Sequence, residues 1–159
     1  MGTVMFYQLL RSAPEDTLAI NAPRALGQGW RVMVRGTDQA ALERLDAALW
    51  LKGGDESFLP HGLAGGPQDA DQPVLLGKGA AGNGAKVLAL VDGAEASDAE
   101  IAAMERVWVL FDGNDPDRLQ AARGQWKAMT DAGHPAQYWS EESGKWEKRA
   151  EKNAVGPES

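Results

Sequence analysis

The segment from Gly77 to Gly84 has the sequence pattern that most suggests a functional site. Its first six residues, Gly77-Lys78-Gly79-Ala80-Ala81-Gly82, fit the G-x-G-x-x-G pattern that holds a dinucleotide pyrophosphate. That pattern needs a strand before it and a helix that begins at its end, but here a second strand pattern follows. The segment also lacks the Gly-Lys-Ser/Thr ending of a P-loop. We therefore expect a loop, and a nucleotide-binding or hydrolytic α/β enzyme that uses this segment is the alternative.

A second candidate for chemistry is His61, which follows Asp55, Glu56 and Ser57 closely in the chain. Closeness in sequence does not make a triad, and no nucleophile-elbow pattern is present. We expect this histidine to hydrogen-bond within its own loop. The chain has no cysteine and two histidines, so thiolate and His-Glu-x-x-His metal sites are excluded. The sequence predicts no catalytic residue, no metal and no cofactor.

The net charge of −7 and the sequence pI near 4.8 disfavour direct binding to nucleic acid. Affinity for DNA comes largely from cations that neutralise phosphates, and here acidic residues are in excess. A local basic patch could still bind an acidic protein segment. No run of eighteen apolar residues and no signal-like N-terminus occur, so we expect a cytoplasmic protein that does not enter a membrane.

Strand and helix patterns alternate along the chain. The strand patterns cover residues 3–10, 30–34, 73–76, 86–91 and 107–111, and the helix patterns cover residues 15–26, 38–52, 98–105 and 116–130. This alternation predicts one α/β domain with a largely parallel sheet and helices on both faces. We place the domain at residues 1–138 and expect residues 139–159 to be a polar, partly disordered C-terminal extension.

Local signals fix some of these helix ends. Thr37 is the expected N-cap of the second helix, Ser97 with Glu100 predicts a capping box, and Asp115 followed by Pro116 opens the last helix. Pro23 should end or kink the first helix, because proline lacks the N–H that a helix interior uses.

Two of the six tryptophans lie on predicted helices beside charged residues. Trp50 falls about 110 degrees from the centre of the leucine face of its helix, which places it at the flank. Arg123, Trp126 and Lys127 occupy positions i, i+3 and i+4 of a predicted helix and therefore lie on one side of it. This arrangement could bind an acidic, aromatic peptide. The alternative is an amphipathic helix with Trp126 inward and both cations merely solvated.

One family resemblance bears on this choice. It is carried by residues 44–50, Arg-Leu-Asp-Ala-Ala-Leu-Trp, by residues 56–65, Glu-Ser-Phe-Leu-Pro-His-Gly-Leu-Ala-Gly, and by Pro73-Val74. Met5-Phe6-Tyr7 and residues 120–127 also fit. With these motifs the chain resembles the chi subunit family of DNA polymerase III from residue 3 to about residue 133.

The resemblance implies a Rossmann-like α/β domain without a functional P-loop and without enzymatic activity. It implies an adaptor that binds the psi subunit, or another clamp-loader component, and the acidic, Phe-terminated C-terminal tail of single-stranded-DNA-binding protein. Carried over by position, the partner-peptide site comprises Trp50, Phe58, Arg123, Trp126 and Lys127. Trp126 departs from the family, which commonly has tyrosine there. Charge-assisted bonds and burial of one ring predict micromolar binding.

Overall fold

An eight-stranded, mostly parallel sheet forms the centre of the protein. The computed structural model describes residues 2–53 and 61–153, except the side chains of residues 52 and 53. The strands are β1 Thr3–Leu9, β2 Val32–Arg35, β3 Gly62–Leu63, β4 Val74–Gly77, β5 Val87–Leu90, β6 Arg106–Asp112, β7 Ala136–Ser140 and β8 Glu147–Lys152. Their order in the sheet is β3-β4-β2-β5-β6-β1-β7-β8. Neighbouring strands are parallel except β7 and β8, which are antiparallel.

Four helices of the described residues cover both faces of this sheet: α1 Pro14–Gly27, α2 Gln39–Gly53, α3 Asp98–Ala103 and α4 Pro116–Asp131. Residues of each strand alternate between two cores, as the period of two in a strand requires. In β5, for example, Val87 and Ala89 join the core that contains α1 and α2, whereas Leu88 and Leu90 join the core of α3 and α4. We call the two sides the α1/α2 face and the α3/α4 face. The predicted α/β class is confirmed, and it is Rossmann-like in the loose sense of that term.

Helix α1 does not end at Pro23, and the predicted helix pattern of residues 15–26 agrees with the observed helix to within one residue at each end. The helix runs on to Gly27 with the exposed Pro23 inside it. Three side chains on its other side, Leu18, Ala22 and Ala25, are at most 4% exposed in the core of the α1/α2 face. A proline in a helix interior costs about 3 kcal/mol, and burial of this apolar face offsets that cost.

The start of α2 also differs from the prediction. Oδ2 of Asp38 accepts the N–H of Ala41 at 3.2 Å and so caps the helix, whereas the hydroxyl of Thr37 donates to the carbonyl of Asp92 at 2.9 Å. The capping box of α3 is confirmed, with the N–H of Glu100 on Oγ of Ser97 at 3.1 Å. This helix ends at Ala103, two residues before the predicted end. The N-cap of α4 at Asp115 is confirmed.

The end of the chain is more ordered than the sequence suggests. Strands β7 and β8 pair in antiparallel register from Ala136 opposite Lys152 to Ser140 opposite Glu147, so part of the predicted extension adds a strand to the sheet. Such an edge strand can be polar and charged, because it needs backbone partners on one side only. Residues 154–159 lie outside the described residues, and the unit boundary after residue 138 stays a prediction.

Candidate partner-binding surface

Three of the predicted site residues lie together on α4. Arg123 and Lys127 are exposed, one helical turn apart, and Trp126 between them is half-buried. The indole packs edge-on against the ring of Phe6, with ring centroids 5.4 Å apart. The two readings of this helix therefore both apply, because the tryptophan belongs to the core of the α3/α4 face and still keeps an open edge beside two cations.

Tyr138 of β7 completes this surface, and the sequence analysis missed it. Its ring lies 5.9 Å from that of Trp126, and its hydroxyl donates to Oε1 of Gln8 at 3.0 Å. Burial raises the pKa of Tyr138, and the nearby charge of Arg123 acts in the opposite direction. We call Arg123, Trp126, Lys127 and Tyr138 the α4 patch. The signal that could have found Tyr138 is the alternation of residues 136–140, which had been assigned to the end of the domain and the extension.

Strand β8 extends the surface beyond the α4 patch. Ala150 lies opposite Tyr138 and Lys152 lies opposite Ala136, and directly paired residues share a face of a sheet. The side-chain amide of Asn153 donates to the carbonyl of Thr130 at 2.9 Å, which ties the end of β8 to the end of α4. Strand β8 therefore lies beside the α4 patch, and its end is held against the end of α4.

Lys127 has a partner within its own helix. Its Nζ lies 2.9 Å from Oδ2 of Asp131, and the two side chains are 79% and 60% exposed. An exposed ion pair of this kind contributes about 0.3–0.5 kcal/mol, so the cation can exchange Asp131 for a carboxylate of a ligand at little cost.

Trp50 lies elsewhere, at the end of α2 on the α1/α2 face. Its side chain is 49% exposed, and its ring centroid is 4.3 Å from that of His61. Helix α2 packs beside β3 and β4, and α4 packs on β6, β1 and β7, so the sheet separates the two tryptophans. With strands about 4.8 Å apart and a helix about 10 Å thick, they are roughly 20 Å or more apart. Phe58, the fifth predicted residue, lies outside the described residues.

The described residues give no support to the two candidate catalytic features. His61 is buried and its Nε2 lies 3.1 Å from the carbonyl of Asp46, while Asp55, Glu56 and Ser57 lie outside the described residues. The Gly77–Gly84 segment leads into strand β5, as predicted, and not into a helix.

Two backbone carbonyls of that glycine-rich segment accept hydrogen bonds from arginine side chains. Nε of Arg35 donates to the carbonyl of Gly79 at 3.1 Å, and Nη1 of Arg31 donates to that of Asn83 at 3.2 Å. A phosphate site needs inward N–H groups, so these contacts give the segment a structural role.

A site for an anion does exist after β1, where related folds hold phosphate, but the protein fills it itself. The N–H groups of Leu10, Arg11 and Ser12 donate to Oε2 of Glu141 at 3.0, 2.9 and 2.8 Å. The hydroxyl of Ser12 donates to Oε1 at 2.9 Å. Burial acts to raise the pKa of Glu141, but these hydrogen bonds outweigh it and hold the pKa below its usual range. We call this arrangement the Glu141 nest.

These features define a class of protein: a three-layer α/β domain with a mostly parallel sheet, an internal carboxylate that binds the backbone N–H groups after β1, and an exposed aromatic and cationic surface. Within that class the chain belongs to the DNA polymerase III chi subunit (HolC) family, whose model matches residues 1–137. Among curated proteins none matches the chain significantly. Family members are accessory polymerase subunits, which fits a non-catalytic role. In the part of the chain that the structure describes, no helix has the length and apolar character needed to cross a membrane.

Proposed function

We propose that this chain is a non-catalytic adaptor in bacterial DNA replication. It binds the acidic, Phe-terminated C-terminal tail of single-stranded-DNA-binding protein through the α4 patch, and it binds the clamp loader through the psi subunit or another component. It acts in the cytoplasm, beside the chromosome. Membership of the chi subunit family supports a place in the polymerase III holoenzyme.

The observation that carries the proposal is the pairing of two exposed cations with two half-buried rings. Arg123 and Lys127 stand on either side of Trp126, and Tyr138 closes the space between α4 and β7. A phenyl ring gains from edge or offset contact with such rings, and a terminal carboxylate gains from an arginine that can bind both of its oxygens. The chain as a whole has a net charge of −7, so a local pair of cations restricts where an acidic tail can bind.

Trp50 does not belong to this site. It faces the opposite side of the sheet, so a short tail bound at the α4 patch does not reach it. Of the predicted residues that the structure describes, Arg123, Trp126 and Lys127 lie on α4, and Trp50 lies at the end of α2.

The test is calorimetric titration of the full chain with an acidic peptide that ends in Phe, beside the same peptide without the Phe. We expect micromolar binding that needs the terminal Phe and weakens as salt is raised. Lys127→Glu and Arg123→Glu should each lower the affinity at least ten-fold. Arg44→Glu, the same charge change on an exposed residue of α2, is the matched control and should leave the affinity within about two-fold.

One further variant distinguishes this site from a general attraction between charges. Asp131→Asn releases Lys127 from its ion pair and should raise the affinity about two-fold. Wild-type affinity in both Lys127→Glu and Arg123→Glu, or equal binding of the peptide that lacks Phe, would show that the tail does not bind at the α4 patch.

A further inference from the structure

A groove runs along the α1/α2 face between helix α1 and strands β1, β6 and β7. Two adjoining hollows of about 470 and 260 Å³ form it, and they share Met5, Tyr7, Asn21 and Arg24. Trp139 and Trp146 close one end, and Trp30 and Trp108 close the other. We call this the α1 groove. Trp139 and Trp146 lie beyond the residues that the family model matches, so the groove does not follow from the family assignment.

The walls of the α1 groove are apolar and aromatic. Tyr7 packs edge-on against Trp146 with ring centroids 5.4 Å apart, and the side chain of Ile20 at the rim is 55% exposed. An exposed isoleucine above a floor of aromatic rings is typical of a surface that a partner covers.

The charges of the groove have one sign. Among the described residues that line its two hollows, the charged ones are Arg24 and Arg106, although the chain as a whole has a net charge of −7. The guanidinium carbon of Arg106 lies 5.4 Å from the centre of the Trp30 ring, which fixes this cation at the wall. Charge complementarity therefore favours an occupant with carboxylates.

Two hydroxyl groups at the walls lack good partners. The hydroxyl of Thr17, a residue that is 4% exposed, has no hydrogen-bond partner among the described residues. The hydroxyl of Tyr7 donates to the thioether sulfur of Met5 at 3.7 Å, and sulfur is a weak acceptor. Burial raises the pKa of Tyr7 to about 12, so this group stays a neutral donor. A carboxylate or backbone carbonyl of an occupant would give the hydroxyl of Tyr7 a stronger acceptor.

We propose, resting on the proposed place of this chain in the holoenzyme, that the α1 groove binds a segment of another subunit that presents an apolar face with carboxylates at its edge. Bulky apolar side chains of this segment fill the two hollows, and its carboxylates meet Arg24 and Arg106. Trp139 of the groove and Tyr138 of the α4 patch are consecutive residues of β7 and point to opposite faces. The two surfaces therefore lie back to back, and their occupants do not compete.

The test places a photo-crosslinking amino acid at Ile20 in the full chain and assembles it into the polymerase III holoenzyme without single-stranded-DNA-binding protein. The control position is Ala102, an exposed residue of α3 on the other face. We expect a cross-link from position 20, absent from position 102, to another subunit. Mass spectrometry of the linked peptide should show apolar residues together with Asp or Glu.

A charge reversal completes the test. Arg24→Glu, on the exposed side of α1, should lower the cross-link yield at least ten-fold, whereas Arg44→Glu on α2 should leave it unchanged. Circular dichroism checks that both variants fold. Five results would each overturn the proposal. They are no cross-link, a link to a second copy of this chain, a link to DNA, a linked segment without carboxylates, and a cross-link yield that Arg24→Glu does not change. Because no tail is present, failure of tail binding and failure of the groove are separate results.

Discussion

Replacement of Glu141 tests how much the Glu141 nest contributes to the fold. The side chain is 5% exposed and accepts three backbone N–H groups and one hydroxyl, all at 2.8–3.0 Å. A hydrogen bond to a charged group contributes about 1.5–3 kcal/mol, but here three donors share one oxygen and the contributions do not add fully. We expect Glu141→Ala to lower the free energy of unfolding by about 3–4 kcal/mol.

Glu141→Gln separates the charge from the contact. The amide oxygen can still accept the N–H groups, and charge-assisted bonds are about twice as strong as neutral ones, so this variant should lose about 2 kcal/mol. Glu142→Gln changes an exposed neighbour in the same way and should stay within about 0.5 kcal/mol of the wild type. The measurement is urea unfolding at pH 7, followed by tryptophan fluorescence.

The stability that Glu141 contributes to the fold should depend on pH. Because the folded-state pKa of Glu141 is held low, its stabilisation is present above the unfolded pKa of about 4.3 and is lost as pH falls through the folded value. The Gln variant lacks this contribution. Sulfate should also restore part of the stability of Glu141→Ala by binding the freed N–H groups. A stability of Glu141→Ala within about 1 kcal/mol of wild type would refute the role assigned to the nest.

Four other substitutions test the packing and the charges. Trp126→Ala should cost about 2 kcal/mol in urea unfolding, because the ring is half-buried in the core, whereas Lys127→Glu should cost less than about 0.5 kcal/mol. Arg35 lowers the pKa of Glu100 from 4.5 to about 2, so stability measured by acid titration should fall between those values in the wild type and less so in Arg35→Met. Pro23→Ala should raise the thermal midpoint by restoring a helical N–H, with a gain of about 1–3 kcal/mol; an unchanged midpoint would contradict that reasoning.

The local features of the fold could be predicted from the sequence. The capping box at Ser97, the N-cap at Asp115 and the strand patterns of residues 86–91 and 107–111 depend on neighbours a few residues away, and the structure has all of them. The exposed position of Trp50 followed from helical geometry in the same way.

Features set by contacts between distant residues could not be predicted. Pro23 is held inside α1 by packing on the core, and Glu141 meets donors about 130 residues earlier in the chain. The α4 patch depends on two facts that no local pattern carries: which face of the sheet each helix covers, and that β7 brings Tyr138 beside Trp126. For that reason the sequence grouped Trp50 with residues from the opposite face.

The most direct test of the adaptor proposal is to follow the indole N–H signals of the six tryptophans by NMR during titration with the acidic, Phe-terminated peptide. Single Trp→Phe variants assign the signals. The α4 patch predicts a saturable shift of the Trp126 signal and none of the Trp50 signal, since the sheet lies between them. A shift of the Trp50 signal with Trp126 unchanged would place the tail at the end of α2 and contradict the account.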